Sequence, residues 1–374
     1  MSKFDYNLFQ QMYCLSMVSG IVSGVQGPEQ DLQKIMKDTL KAKLQNLPGN
    51  WKITFGPRVF KWRNKCTNVG GPDNVWFAAV DDQKNVCVSI AGTQDNSIAD
   101  IFQDLAVWEV VDFNNWVGKC SPYSDGIPEP QSTKPQDSDP STAFCSAGTC
   151  VGVWNVLSNV EDTSVGERRL DQYLRSLDDS HNIVIAGHSL GGALAPVTAL
   201  ALCTAEQPPP ASVKVLGSAG VSPGNAALMQ QYAAKFPKTP ASTTSYEVYN
   251  ADFFNKYDIV PQAWSLDPSQ DRNLDNILKK ILTFTFPYNL IADGIVSLAK
   301  ELPKPSGIDY VPLPGQEFEG TKPPDNITFE QLKDIFGCTH VLDYWTEIGI
   351  TEFMELFKKD LKSKLPQGGS ELAA

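Results

Sequence analysis

Residues 182–195 read NIVIAGHSLGGALA. The run Ile183-Val184-Ile185 is β-branched, so it favours a strand, and the alanine- and leucine-rich stretch after Gly192 favours a helix. Between them lies Gly187-His188-Ser189-Leu190-Gly191, a sharp strand-to-helix turn with a serine at its apex. The two flanking glycines have a steric purpose. A serine held on so tight a turn brings its neighbours against the adjoining strand and helix, leaving no room for a side chain at 187 or 191. The helix that follows directs its positive end at the serine, which favours an oxyanion formed there. Ser189 is therefore a candidate nucleophile.

A serine hydroxyl attacks poorly until a base removes its proton, and histidine is the usual base. The chain has three histidines. His188 adjoins Ser189 on the same turn, so its ring points away. His181 precedes the elbow strand and falls at the opposite end of it. His340, in Phe336-Gly-Cys-Thr-His-Val-Leu-Asp-Tyr, remains as the candidate base. Triads built on such an elbow run serine, acid, histidine in chain order, so the acid is expected between 189 and 340. The stretch from Tyr246 to Pro261 offers Asp252 and Asp258, and spacing alone leaves both open.

Outward from the elbow, strands and helices alternate. Strand candidates at 51–55, 75–80, 86–90, 213–216 and 246–250 are joined by helix candidates at 153–176, 192–205 and 225–236. This alternation predicts a mostly parallel, doubly wound sheet with right-handed crossovers. Residues 1–48 read as an N-terminal helical segment in two pieces broken at 24–28. Residues 119–144 are a Pro- and Ser-rich surface loop. Residues 265–339 form a cap-like insertion, with an apolar helix-like stretch at 277–302, that carries the approach to His340. The whole chain, 1–374, reads as one domain with these insertions.

Composition limits the function classes. The chain has 374 residues, 42% hydrophobic and 20% charged, enough to bury a full core. Its formal charge of -12 opposes nucleic-acid binding, which needs a basic footprint. No apolar run approaches the roughly 18 residues of a membrane span. The broken apolar stretch at 12–25 is a poor secretory leader, which favours a cytoplasmic chain over a secreted one whose leader is gone; the sequon at Asn326 points the other way. Of eight cysteines, Cys14, Cys87 and Cys203 read as buried thiols. Cys66, Cys120, Cys145 and Cys150 fall in or beside loop-like sequence, where disulfides would suit a secreted chain. Three histidines and no CxxC give a zinc site little support.

Four blocks resemble the class 3 lipase family, the fungal-type triacylglycerol lipases of the α/β-hydrolase superfamily. They are the elbow IAGHSLGGALA, Val88-Ser-Ile-Ala-Gly-Thr with Asp104-Leu105, Leu216-Gly-Ser-Ala-Gly-Val-Ser-Pro-Gly-Asn, and Asp258-Ile-Val-Pro. The resemblance implies an α/β-hydrolase fold with helices on both faces of the sheet and a lid or cap insertion. It implies Ser189, Asp258 and His340 as the catalytic triad, and backbone N–H groups of Thr93 and Leu190 as the oxyanion hole. It also implies cofactor-free, metal-free hydrolysis of a lipid or other ester at an oil–water or membrane interface. The chain departs from the family at Ala91, where an arginine is common, and near 151–154, where His-x-Gly-Phe is missing.

In that family a lid follows the oxyanion residue. Residues 96–111 (NSIADIFQDLAVWEVV) have helix-like apolar spacing, so Ile98, Ile101, Phe102 and Leu105 are the expected substrate rim, with 277–287 extending it. Phospholipase A1-type and feruloyl-type esterases share the same chemistry, and a silent lipid-binding protein could share the same fold.

Overall fold

The computed structural model describes residues 4–62, 65–67, 70–91, 106–118, 126–135, 139, 141–163, 166–205, 208–239, 244 and 246–364. Its strands are β1 (Lys52–Phe60), β2 (Asn74–Val80), β3 (Asn85–Ala91), β4 (Val110–Asp112), β5 (Phe144–Ser146), β6 (Val160–Thr163), β7 (Gly166–Arg169), β8 (Asn182–His188), β9 (Ser212–Ser218), β10 (Gly224–Asn225), β11 (Asp252–Asn255), β12 (Tyr310–Val311) and β13 (Gly315–Phe318). Nine of them form the central sheet in the order β13-β11-β9-β8-β3-β2-β1-β6-β7, and β12-β10-β5-β4 form a smaller one.

The strands around the elbow, from β13 through β11, β9 and β8 to β3, are parallel. From β3 outward through β2, β1, β6 and β7 the pairing is antiparallel. A parallel strand buried on both faces needs a continuous apolar run, and β8 shows why. Ile183 and Ile185 enter one core, shared with the helices Ala147–Ser158 and Leu190–Thr204. Val184 and Ala186 enter the other, shared with the N-terminal helix Leu8–Ser19 and with Phe353 and Phe357 of the helix Thr351–Lys364. Helices thus cover both faces, and this is the α/β-hydrolase arrangement the sequence implies.

The N-terminal segment folds as helices Leu8–Ser19 and Glu29–Lys43. Asn7 caps the first through a reciprocal capping box with Gln10. The second buries Leu32, Met36 and Leu40 at four-residue spacing, with Glu29 and Asp31 in its first turn and Lys41 and Lys43 in its last.

Three expectations change. The helix expected over 153–176 is a helix Ala147–Ser158, a hairpin β6–β7 that joins β1 at the sheet's edge, and a short helix Leu170–Arg175. The strand expected at 246–250 begins later, as β11. Asn250 takes a left-handed backbone (φ 64°), and its side-chain oxygen accepts the Val215 N–H, so a side chain pairs with β9 where a strand was expected. Residues 265–339 also do more than cap: Gly315–Phe318 is the edge strand β13 of the central sheet.

The cysteines follow the same logic of burial. Cys145 lies on β5 and Cys150 in the next helix, both buried free thiols, and Cys203 is half-buried. No disulfide joins the described cysteines. Phe144, at the end of the expected surface loop, is likewise buried and opens β5.

Candidate active site

The strand β8 ends at His188, and its register sets Ala91 of β3 and Ser218 of β9 on either side. Ser189 then turns the chain with φ 61° and ψ −128°, a left-handed backbone that costs a non-glycine residue about 1–3 kcal/mol. The turn is secured by the Ser189 N–H donating to the Ser218 carbonyl (2.9 Å) and by Gly192 N–H donating to the Ser189 carbonyl (2.8 Å). Both flanking glycines are required by close backbone approach. A Cβ on Gly187 would overlap the Gly191 carbonyl, and a Cβ on Gly191 would overlap that of Ile90 in β3. Leu190 opens the helix Leu190–Thr204, where the first N–H groups have no partner within the helix.

His340 is buried in a π-helical turn, Cys338–Leu342, that follows the helix Phe329–Gly337. Its Nδ1 lies 2.7 Å from Oδ2 of Asp258. A carboxylate can only accept, so Nδ1 carries the proton and Nε2 is left as the basic nitrogen. The imidazole stacks on Phe336 at 4.8 Å and lies 4.7 Å from the His188 ring, against the residue that precedes Ser189.

Asp258 is fully buried yet well satisfied. Its Oδ2 also accepts from the Tyr344 hydroxyl (2.9 Å), and its Oδ1 accepts the Val260 N–H (3.0 Å). Asn255 ties the acid's loop to the histidine's turn. Its Nδ2 donates to the Thr339 carbonyl and to Asp343, and its Oδ1 accepts the Tyr257 and Gly320 N–H groups. Tyr344 completes the link by accepting the Asn255 N–H.

The rival carboxylate has a different partner. Asp252 opens β11, pairs with Arg272 at 2.6 Å and accepts the Gly220 N–H, all within the buried interior. His181 caps the far end of β8 beside Asp178. Thr93, Ile98, Ile101, Phe102 and Leu105 lie outside the described residues. Among the described residues, no group of three His, Cys, Asp or Glu is placed to hold a metal ion. No helix there is long and apolar enough to cross a membrane.

Sequence reasoning missed Tyr344 and Asn255 as supports, although both stand within the stretches quoted for His340 and Asp258. It also missed Tyr13, whose hydroxyl reaches Ser218 at a separation of 205 positions.

Comparison with known proteins bears on the fold and on one segment of the chain. The fold is that of the M37 lipase crystal structure, which superposes with a TM-score of 0.66 at 20% identity over 94% of this chain and 95% of that one. Lower-scoring matches are the LIP2 lipase of Yarrowia lipolytica (TM-score 0.39, 18% identity, 70% and 76% covered). Lipase II of Rhizopus niveus is similar (TM-score 0.38, 17% identity, 68% and 73% covered). The class defined is the α/β-hydrolase fold. Within it, residues 133–267 match the class 3 lipase family, a segment that holds Ser189 and Asp258 and ends before His340. A search of curated proteins found no match. Match and fold together support a lipase or other ester hydrolase.

Proposed function

We propose that the protein is a serine carboxylic-ester hydrolase acting on triacylglycerols, with Ser189 as nucleophile, His340 as general base and acid, and Asp258 orienting the imidazole. The observation that carries this reading is the 2.7 Å bond between His340 Nδ1 and Asp258, in a ring packed against the residue before Ser189. It leaves Nε2 as the acceptor for a hydroxyl proton.

In the proposed reaction Ser189 Oγ attacks the ester carbonyl while His340 Nε2 takes its proton. The carbonyl oxygen becomes an oxyanion held by the Leu190 N–H and, from the sequence reading, by Thr93. The C–O bond to the alcohol breaks as His340 returns the proton to the departing oxygen. Water then attacks the acyl-enzyme with the same base, releasing the acid and restoring Ser189.

Aggregated substrate is favoured by one further feature. The helix Tyr288–Glu301 buries its small residues Ala292 and Ala299 and turns four of its large ones outward. Leu290, Ile291, Ile295 and Leu298 are 61%, 52%, 46% and 67% exposed, and Phe286 just before them is 79% exposed. A helix packed only for stability does the reverse. Its base rests on the histidine's approach, through Phe284 and Tyr288 against Phe329. A lipid surface meeting this face would lie beside the segment that carries His340.

Wild type and Ser189→Ala should be compared on p-nitrophenyl esters of rising chain length and on emulsified triacylglycerol. The lipase reading expects loss of at least about 10³-fold in the variant, with long chains and the emulsion preferred by wild type. Activity confined to short soluble or feruloyl esters, or to phospholipids, would transfer the assignment to those esterases. Activity equal in both proteins would remove Ser189 from the chemistry, and inactive wild type would favour a silent lipid-binding protein.

A further inference from the structure

The elbow contributes two polar side chains that the proposed chemistry does not use, His188 and, across the sheet, Ser218. Period-two alternation sends His188 to the same face as Val184 and Ala186, the face covered by the helix Leu8–Ser19. There Tyr13, Ser218 and His188 form one buried file. The Tyr13 hydroxyl lies 2.9 Å from Ser218 Oγ, Ser218 Oγ lies 2.9 Å from His188 Nδ1, and His188 Nε2 lies 2.8 Å from the carbonyl oxygen of His340.

The direction of every bond in the file follows from its last member. A carbonyl can only accept, so His188 Nε2 carries a proton. Burial and the neighbouring His340 hold the His188 ring well below its ordinary range, so it is neutral and its Nδ1 must accept. Ser218 therefore spends its single proton on His188. Tyr13, kept protonated by burial, must donate to Ser218. Only one arrangement of protons satisfies all four groups. Ser218 is also the residue whose carbonyl receives the Ser189 N–H. One residue thus indexes the backbone of the candidate nucleophile and, through His188, the backbone of the candidate base.

We infer that Tyr13 is a positioning residue for the reaction, fixing the His340 backbone relative to Ser189 through Ser218 and His188. Tyr13 touches neither substrate nor the reacting atoms. It orders the direction of a hydrogen-bonded file whose far end is the main chain of His340, where a small displacement of the imidazole weakens proton transfer. The inference rests on the proposed roles of Ser189 and His340. The N-terminal helix would then be part of the site's machinery as well as of its core.

The test uses the full chain and a short soluble p-nitrophenyl ester, so that docking to an interface plays no part. Tyr13→Phe, Ser218→Ala and the double variant are compared with Tyr173→Phe, which removes a tyrosine hydroxyl bonded to Thr54 away from the site. Tyr13→Phe should lower kcat about fivefold and Ser218→Ala about tenfold, with KM unchanged. The double variant should equal Ser218→Ala alone, since both act along one file. Tyr173→Phe should keep wild-type kcat whatever it does to thermal stability. The downfield proton resonance of His340 Nδ1–H should move in Tyr13→Phe and stay in place in Tyr173→Phe, a readout that needs no activity. A wild-type kcat in Tyr13→Phe with that resonance unmoved would overturn the inference, as would losses that multiply in the double variant. Wild-type protein without Ser189-dependent hydrolysis would defeat the functional reading instead, leaving the resonance to decide the file.

Discussion

The elbow and the helix Tyr288–Glu301 both contain glycine among apolar residues, and they use it for opposite reasons. At Gly187 and Gly191 backbones touch, so any side chain would collide with a neighbouring carbonyl. At Gly294 nothing lies within 4 Å of where a side chain would begin. The elbow is defined by what its neighbours exclude. The helix carries Leu290, Ile291, Ile295 and Leu298 largely exposed. One region holds a fixed geometry and the other exposes apolar side chains, and under the proposed function the difference separates bond cleavage from docking.

That separation can be broken most forcefully at the elbow. Gly191→Ala should cost about 3 kcal/mol or prevent folding, because the obstruction is the Ile90 carbonyl and cannot rotate aside. Urea denaturation reads the effect, and a change under about 1 kcal/mol would mean that the elbow is looser than described. On the helix the expectation reverses. Ile291→Ser combined with Leu298→Ser should leave stability within about 1 kcal/mol, both positions being exposed, and lower activity on emulsified ester about tenfold. The rate on a soluble ester should not change. Equal losses on both substrates would erase the distinction between the regions.

The tight packing under the elbow also gives it a pH signature. His188 is neutral when folded, with His340, Tyr344 and the Ser218–Tyr13 pair around it. Its folded pKa is depressed, so protons bind the unfolded chain preferentially once pH falls below the ordinary histidine value. Stability contributed by this group is present above roughly pH 6.5 and declines below it, by about 1 kcal/mol over the first unit. Thermal denaturation between pH 5 and 8 should show that decline, flattened in His188→Asn. An unchanged slope in the variant would assign the decline to other groups.

What the sequence disclosed divides along the same line. The elbow was legible because its demands are local: β-branched residues before the turn, glycines at the contacts and a helix former after it. The candidate base was legible because histidines are few. The acid was not settled by spacing, since both aspartates follow an apolar stretch. What distinguishes them is the start of β11, displaced by the left-handed Asn250, which puts Asp252 inside the strand with Arg272 and leaves Asp258 beyond it at His340. The hairpin β6–β7 was invisible for a similar reason. Its charged residues fit an exposed helix as well as an edge strand, and only pairing with β1 decides between them. The file from Tyr13 to His340 joins four distant segments, and no local pattern announces it.

Under the proposed function Ser189 is an activated nucleophile. A fluorophosphonate probe followed by peptide mapping addresses it without assuming any substrate. One label per chain, on Ser189 and absent in Ser189→Ala, with labelling slowed about 10⁴-fold in Asp258→Asn, is the expected result. Folded protein that leaves Ser189 unlabelled, or labelling that ignores the loss of Asp258, would contradict it.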